Sequence, residues 1–265
     1  VSAETGGYSP TGSFAGVFVK GIAFTNTLKN NFANLANGFY LLSTNSTISN
    51  NEFSNTNINN AYLSGRTGHG IYFRHDAGVG RLTATLNFFG TLETAIRAIS
   101  ATPATRVVIG GNTGTSNNVG NTRYGFMLEQ RAGGRFDNSA VSNNNNVPPN
   151  PQGNSYAVDC RIVGIGFRCD PGVSMASNVD IFNNNVGIKA TGGDCILLEG
   201  SNPGTGNIRV RTNNVSLHGT GGRSGIHLLN FRGAQVNETN VVNIKYFADV
   251  KGIWLENAGV NTIDA

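Results

Sequence analysis

Apolar residues in this chain alternate with polar or small ones over runs of about four residues, and glycine or asparagine punctuates each run. One pattern is a glycine followed by an apolar residue, any residue and usually a second apolar one. It occurs as Gly21-Ile-Ala-Phe24, Gly38-Phe-Tyr-Leu41, Gly70-Ile-Tyr-Phe73, Gly125-Phe-Met-Leu128, Gly164-Ile-Gly-Phe167, Gly187-Ile-Lys-Ala190, Gly225-Ile-His-Leu228 and Gly252-Ile-Trp-Leu255. Each predicts a short strand entered through a glycine turn. A second pattern ends in asparagine pairs: Ile48-Ser-Asn50-Asn51, Val179-Asp-Ile-Phe-Asn183-Asn184 and Ile208-Arg-Val-Arg-Thr-Asn213-Asn214, with Val236-Asn-Glu-Thr-Asn240 a looser copy.

The copies recur roughly every 27 residues in the last third of the chain, a spacing that signals a solenoid. The repeat holds two or three short strands and no room for a regular helix, which excludes helical-pair repeats, and a four-stranded propeller blade would need more residues. Asparagine fits a stacked coil in two ways. Its amide can hydrogen-bond to the copy above and below, and it tolerates the left-handed backbone of a tight corner. Composition agrees: there are 38 asparagines and 36 glycines, both poor helix formers. Charged residues are 13%, about half the usual share, so the low apolar content of 38% is not that of a charged, disordered chain.

The alternation Gly-Ile-x-Leu … Asn-Ile-x-Val-x-Asn-Asn resembles the right-handed parallel β-helix (pectin-lyase-like) superfamily, which includes pectate lyases, polygalacturonases and phage tailspikes. The resemblance implies an all-β fold: one β-solenoid domain over 1–265, with irregular loop insertions. About ten coils fit the length, a rod roughly 50 Å long. Three segments break the pattern, Asn30–Asn37, Gly90–Thr105 and Asn143–Gly153; within the second, Leu92–Ile99 reads as a short amphipathic helix or as strand.

Gly192-Gly-Asp194-Cys-Ile-Leu resembles the Gly-Asp-Asp-Cys-Ile segment of polygalacturonases. That likeness implies candidate catalytic residues Asp180, Asp194, His227 and Lys245, with Asp180 and Asp194 meeting on adjacent coils. Inverting hydrolysis needs two carboxyls about 6.5–9.5 Å apart. The match is incomplete: Gly193 stands where a second aspartate belongs, Gly225-Ile-His227 replaces Gly-His-Gly, and Asn243-Ile-Lys245 replaces Arg-Ile-Lys. Gly68-His69-Gly70 matches the tripeptide better and reads as an exposed histidine between turn glycines. Arg74-His75-Asp76 reads as solvated surface. Cys160 and Cys169 bracket a short apolar segment and are read either as a disulfide or as buried thiols, while Cys195 stays unpaired.

The acids are dispersed, which disfavours a calcium-dependent lyase. No spacing indicates zinc, another metal or a cofactor. A net charge of +4 without Lys/Arg runs gives no footprint for nucleic acid, and no apolar run reaches membrane-spanning length. The chain starts at Val1, which reads as a mature or excised form. No capping helix is evident at either end, so caps have been removed or the ends pair with other copies. Two functions follow. The first is a secreted or cell- or virion-surface structural solenoid that associates with other copies of itself. The second is a polysaccharide hydrolase or depolymerase, with glycans as partners.

Overall fold

The computed structural model describes residues 15–33, 37–54, 68–111, 116–145, 156–173, 176–188, 192–200, 206–218, 223–244 and 250–264. Among them there are strands and no helix, and every strand pairing is parallel. Numbered in chain order, the strands sort into three walls, each of which follows the order of the chain.

The first wall runs through β1 (Ala15–Lys20), β4 (Asn37–Leu42), β7 (His69–His75), β10 (Thr94–Ser100), the second halves of β12 (Asn118–Gln130) and β14 (Val158–Cys169), then β17 (Asp194–Glu199), β20 (Ser224–Leu229) and β23 (Lys251–Glu256). The second wall is a nine-stranded sheet: β2 (Ala23–Asn26), β5 (Asn45–Ser49), β8 (Arg81–Thr85), β11 (Arg106–Gly110), β13 (Ser139–Ser142), β15 (Ser177–Phe182), β18 (Gly206–Arg211), β21 (Ala234–Asn237) and β24 (Thr262–Ile263). The third holds β3 (Asn31–Ala33), β6 (Glu52–Ser54), β9 (Phe88–Gly90), the first halves of β12 and β14, β16 (Asn185–Ile188), β19 (Asn214–Leu217) and β22 (Val241–Ile244). Strands β12 and β14 turn the corner between two walls without a break, with register shifts around Thr122. An all-β chain of parallel strands stacked in this order is a β-solenoid-like fold.

Period-2 alternation sets the interior. On the first wall one inward column is Val17, Phe39, Ile71, Ile96, Phe126, Ile165, Ile196, Ile226 and Ile253; its companion is Val19, Leu41, Phe73, Ala98, Leu128, Phe167, Leu198, Leu228 and Leu255. Most are fully buried, each contributing on the order of 1.5–3 kcal/mol. The third wall supplies Phe32, Phe53 and Phe89, stacked at 5.1 and 4.9 Å, and then valines. This wall explains the leading glycines. A Cβ at Gly38 would lie 2.4 Å from the Phe53 ring, and one at Gly164 would lie 2.2 Å from Val186 Cγ1. The two walls approach too closely there for a side chain.

The asparagines divide their two expected roles. Asn30, Asn51, Asn87, Asn117, Asn144, Asn184, Asn213 and Asn240 form one ladder, each Nδ2 donating to the next Oδ1 at 2.9–3.2 Å. From Asn51 onward the backbone N–H donates to that same oxygen. Before six of the eight rungs the preceding residue takes the left-handed backbone: Asn50 (φ 63°), Leu86 (φ 56°), Asn143 (φ 55°), Asn183 (φ 52°), Thr212 (φ 53°) and Thr239 (φ 35°). Leu86 and the two threonines are poorly suited to it. Leu86 is also exposed. Leu86→Asn should therefore stabilise the chain by about 1 kcal/mol, read as a raised urea midpoint; an unchanged or lowered midpoint counts against corner strain at this site.

Several expectations need correction. Asn31–Ala33 and Thr94–Ser100 are strands, because Phe32 and the alternation Ala95/Ile96/Ala98 turn into the core. Of the two readings of Leu92–Ile99, helix or strand, the strand is the one formed, from Thr94 onward. Of Asn143–Gly153, only residues up to 145 lie among the described ones. The Gly21 and Gly187 motifs sit on the second and third walls, not with the other six.

Candidate functional site

The outward face of the first wall carries two columns rich in charged and aromatic side chains. Its central outward column reads Phe18, Tyr40, Tyr72, Arg97, Met127, Gly166, Leu197, His227 and Trp254. The next one reads Lys20, Leu42, Arg74, Ile99, Glu129, Arg168, Glu199, Leu229 and Glu256.

Two of the residues proposed from sequence come together here. Asp194 on β17 is buried, and its Oδ2 lies 3.2 Å from His227 Nδ1 on β20. Arg223 grips the same carboxylate through Nη2 (2.6 Å) and Nε (3.2 Å), and Ser224 Oγ donates to Oδ1 at 2.7 Å. His227 is fully buried, stacked on Trp254 of β23 at 4.3 Å and nearly parallel, with Nε2 3.3 Å from Glu256. Arg223 and Lys251 lie over the same indole, at 5.2 and 4.3 Å. Burial alone would push the Asp194 carboxyl up. Hydrogen bonds from His227, Arg223 and Ser224, with the Arg223 charge, outweigh it and hold the group below the ordinary carboxylate range. Both carboxylate oxygens are thus engaged by neighbours.

Asp180 does not join this cluster. It lies on β15, in the nine-stranded sheet, because the third-wall strand β16 intervenes between the two aspartates in the chain. There Arg211 of β18 holds it bidentately at 3.0 and 2.8 Å while stacking on Phe182 at 4.3 Å. The expected Asp180–Asp194 pair is therefore not formed. Lys245 lies outside the described residues.

His69 is not exposed, contrary to the sequence reading. It sits on β7, buried, with its ring 5.5 Å from that of Tyr72. Burial and then the Arg97 charge push its pKa down to about 3, so the imidazole is neutral. It borders a depression of about 160 Å³ lined also by Glu93, Arg97, Tyr124, Glu129 and Arg168. Burial raises the Glu93 carboxyl against the opposing influence of Arg123, 3.2 Å away. Glu129 is buried under a bidentate contact from Arg97 (2.8 and 2.9 Å) and one from Arg131 (3.0 Å). Glu93, Arg97 and Glu129 belong to no motif, so sequence reasoning missed them; the place of Arg97 and Glu129 in the alternation of β10 and β12 is a weak signal, and Glu93, just before β10, has none. Arg74 and Asp76 form a partly exposed pair at 2.7 Å, but His75 between them turns inward and bonds Thr105 Oγ1 at 2.8 Å.

The bridge considered between Cys160 and Cys169 is absent. All three cysteines are buried thiols, none of them in a disulfide. The intervening residues of β14 hold Cys160 beside Thr122 and Cys169 beside Gln130. An extended strand of that length separates the two far beyond the roughly 4.4–6.8 Å Cα spacing a disulfide needs. Burial pushes the Cys169 thiol up to about 12 and the Cys195 thiol up as well, so neither is poised as a nucleophile.

Among the described residues no three His, Cys, Asp or Glu side chains gather as metal ligands, and no helix is long and apolar enough to cross a membrane. Fold and wall together define a β-solenoid-like protein with carboxylate–arginine ties between adjacent strands. No protein-family model matches the chain, and neither a curated protein nor a solved structure matches it.

Proposed function

We propose that the chain is an extracellular structural or assembly β-solenoid, secreted or displayed on a cell or virion surface, that associates with other copies of itself. A filament or sheath subunit, an adhesin and a spike shaft all fall within this class. The reading takes the coil to be the right-handed β-helix of the pectin-lyase-like superfamily, with about ten turns in one unit.

One observation carries it. The acids that an enzyme of this shape would use are tied to arginines of neighbouring strands: Asp180 to Arg211, Asp194 to Arg223, Glu129 to Arg97, Glu199 to Arg168 at 2.6 Å. They serve coil-to-coil cohesion, together with the asparagine ladder. The test is sedimentation velocity and negative-stain microscopy of the 265-residue chain over a wide concentration range, beside a reducing-end assay on neutral and acidic polysaccharides. Self-association without cleavage is expected; a monomer at every concentration would sink the reading.

A second reading, a polysaccharide hydrolase or lyase, is favoured by the depression where His69, Glu93 and Glu129 gather, since Glu93 is the acid whose pKa is raised. Reducing ends released by the unaltered chain and lost in Glu93→Gln would establish it in place of the first.

A further inference from the structure

We infer that Arg81 and Arg106 form a binding site for a phosphate monoester on the outward face of the second wall. The site does not depend on whether copies of the chain associate.

Arg81 opens β8 and Arg106 opens β11, and the two are paired directly in the parallel register. Alternation turns Leu82 and Val107 into the core, so both arginines project outward, and both are exposed. Neighbouring strands lie about 4.8 Å apart, which sets the two side chains next to each other. Most of the arginines described above are set against a carboxylate of a neighbouring strand: Arg97 against Glu129, Arg168 against Glu199, Arg211 against Asp180 and Arg223 against Asp194. Here the neighbour is a second arginine. Among the described residues neither Arg81 nor Arg106 makes an ion pair with an acid. Asp76, ahead of β8 in the chain, is paired with Arg74 at 2.7 Å. Asp137, just ahead of β13, the strand that follows β11 in the sheet, is paired with Arg135 at 2.7 Å. Like charges directly opposite each other weaken a sheet. A bound anion would turn that repulsion into attraction.

The donors select the anion. Two guanidinium groups present two flat forks side by side, and the three terminal oxygens of a phosphate monoester can engage both, sharing one oxygen. Its charge of about −1.5 to −2 at pH 7 offsets both cations. A carboxylate brings a single charge and is satisfied by one guanidinium, as Asp180 is by Arg211. A phosphodiester chain needs a track of cations. This column offers none: it holds Asn45 before the pair and, on β15 and β18 beyond it, Asn178 and Asn207. Thr47 and Thr83 stand in the next outward column. With Asn45 they add uncharged donors beside the pair.

The test is a titration of the 265-residue chain with methyl phosphate, dimethyl phosphate, methyl sulfate and acetate at constant ionic strength, followed by the arginine Nε–H signals in proton–nitrogen correlation spectra. Methyl phosphate should bind with a Kd on the order of 1 mM and shift the signals of Arg81 and Arg106, while the three singly charged probes bind at least about tenfold more weakly. Arg81→Gln and Arg106→Gln should each weaken methyl phosphate binding about tenfold. Without ligand, the urea midpoint of either variant should be unchanged or higher, because a repulsion has been removed. No binding of methyl phosphate, equal binding of any singly charged probe, binding that survives both substitutions, or a lowered midpoint in the absence of ligand would each overturn the site. None of these outcomes bears on self-association.

Discussion

Asn144→Ala is expected to lower the unfolding free energy by about 3–5 kcal/mol, whereas Asn183→Gly, in the equivalent pair one strand on, should stay within about 1 kcal/mol of the unaltered chain. Asn144 is fully buried. Its Oδ1 accepts from the backbone N–H and the Nδ2 of Asn117, at 2.9 and 3.2 Å. Its Nδ2 donates to Ile109 O, Ser142 O and Asn184 Oδ1. Truncation leaves a buried N–H and several buried acceptors without a partner, each costing about 1–3 kcal/mol, at the centre of a ladder whose rungs polarise one another. Asn183 does a different job. Its backbone is left-handed at φ 52°, and its amide reaches only Asn143, at 2.6 Å. Glycine removes that bond but adopts the same backbone without strain. Urea unfolding followed by far-ultraviolet circular dichroism separates the two substitutions. Similar losses at both positions would mean that the ladder is not what distinguishes them.

This division of labour marks how far the sequence could be read. Asparagine pairs at the ends of alternating runs were visible, and both of their physical uses could be named. Which member does which could not, because either asparagine can form a ladder or a corner. In Asn213-Asn214 it is the first that joins the ladder, since Thr212 has taken the left-handed position. The Gly-led strands were legible for a reason now evident: most of them must approach a third wall too closely for a Cβ. Strands β10 and β17 escaped that reading because Ala95 and Cys195 stand where glycine does elsewhere. The third wall itself was invisible. Its strands are mostly of three or four residues, too short for alternation to rise above chance. Missing that wall had a direct consequence for the candidate site, because it is the wall that separates Asp180 from Asp194. The meeting of Asp194 with His227 could not be read from register either: register sets Asp194 opposite Ser224 and His227 opposite Leu197, and the two meet only through their side chains.

Arg223→Met should cost about 3–5 kcal/mol at pH 7, and the loss should shrink as the pH falls, unlike the loss at the asparagine ladder. Removing the arginine strands a buried carboxylate that only His227 and Ser224 still contact. In the unaltered chain the Asp194 carboxyl is held below the range it has when unfolded, about 3.9. Its contribution to stability is therefore present above that value and is lost as the pH drops through the lower folded pKa. Without Arg223 burial dominates and lifts the folded pKa. A carboxyl lifted above its unfolded value disfavours folding once it ionises, so its penalty grows as the pH rises through and beyond about 4. The two dependences run in opposite directions, and the gap between variant and parent should narrow by about 1.4 kcal/mol for each pH unit below the variant's raised folded pKa, down to the lower folded pKa of the parent. Urea unfolding at pH 7, 5.5 and 4 measures it, and a gap of constant size would show that Arg223 acts through packing on Trp254 instead. The double variant Asp194→Leu, Arg223→Met completes the case. Replacing both partners removes the buried charge along with its counterion, so much of the single-variant loss should be recovered. Such recovery is what an inter-strand tie predicts: the carboxylate is costly when left alone, and dispensable once nothing in the wall requires its charge.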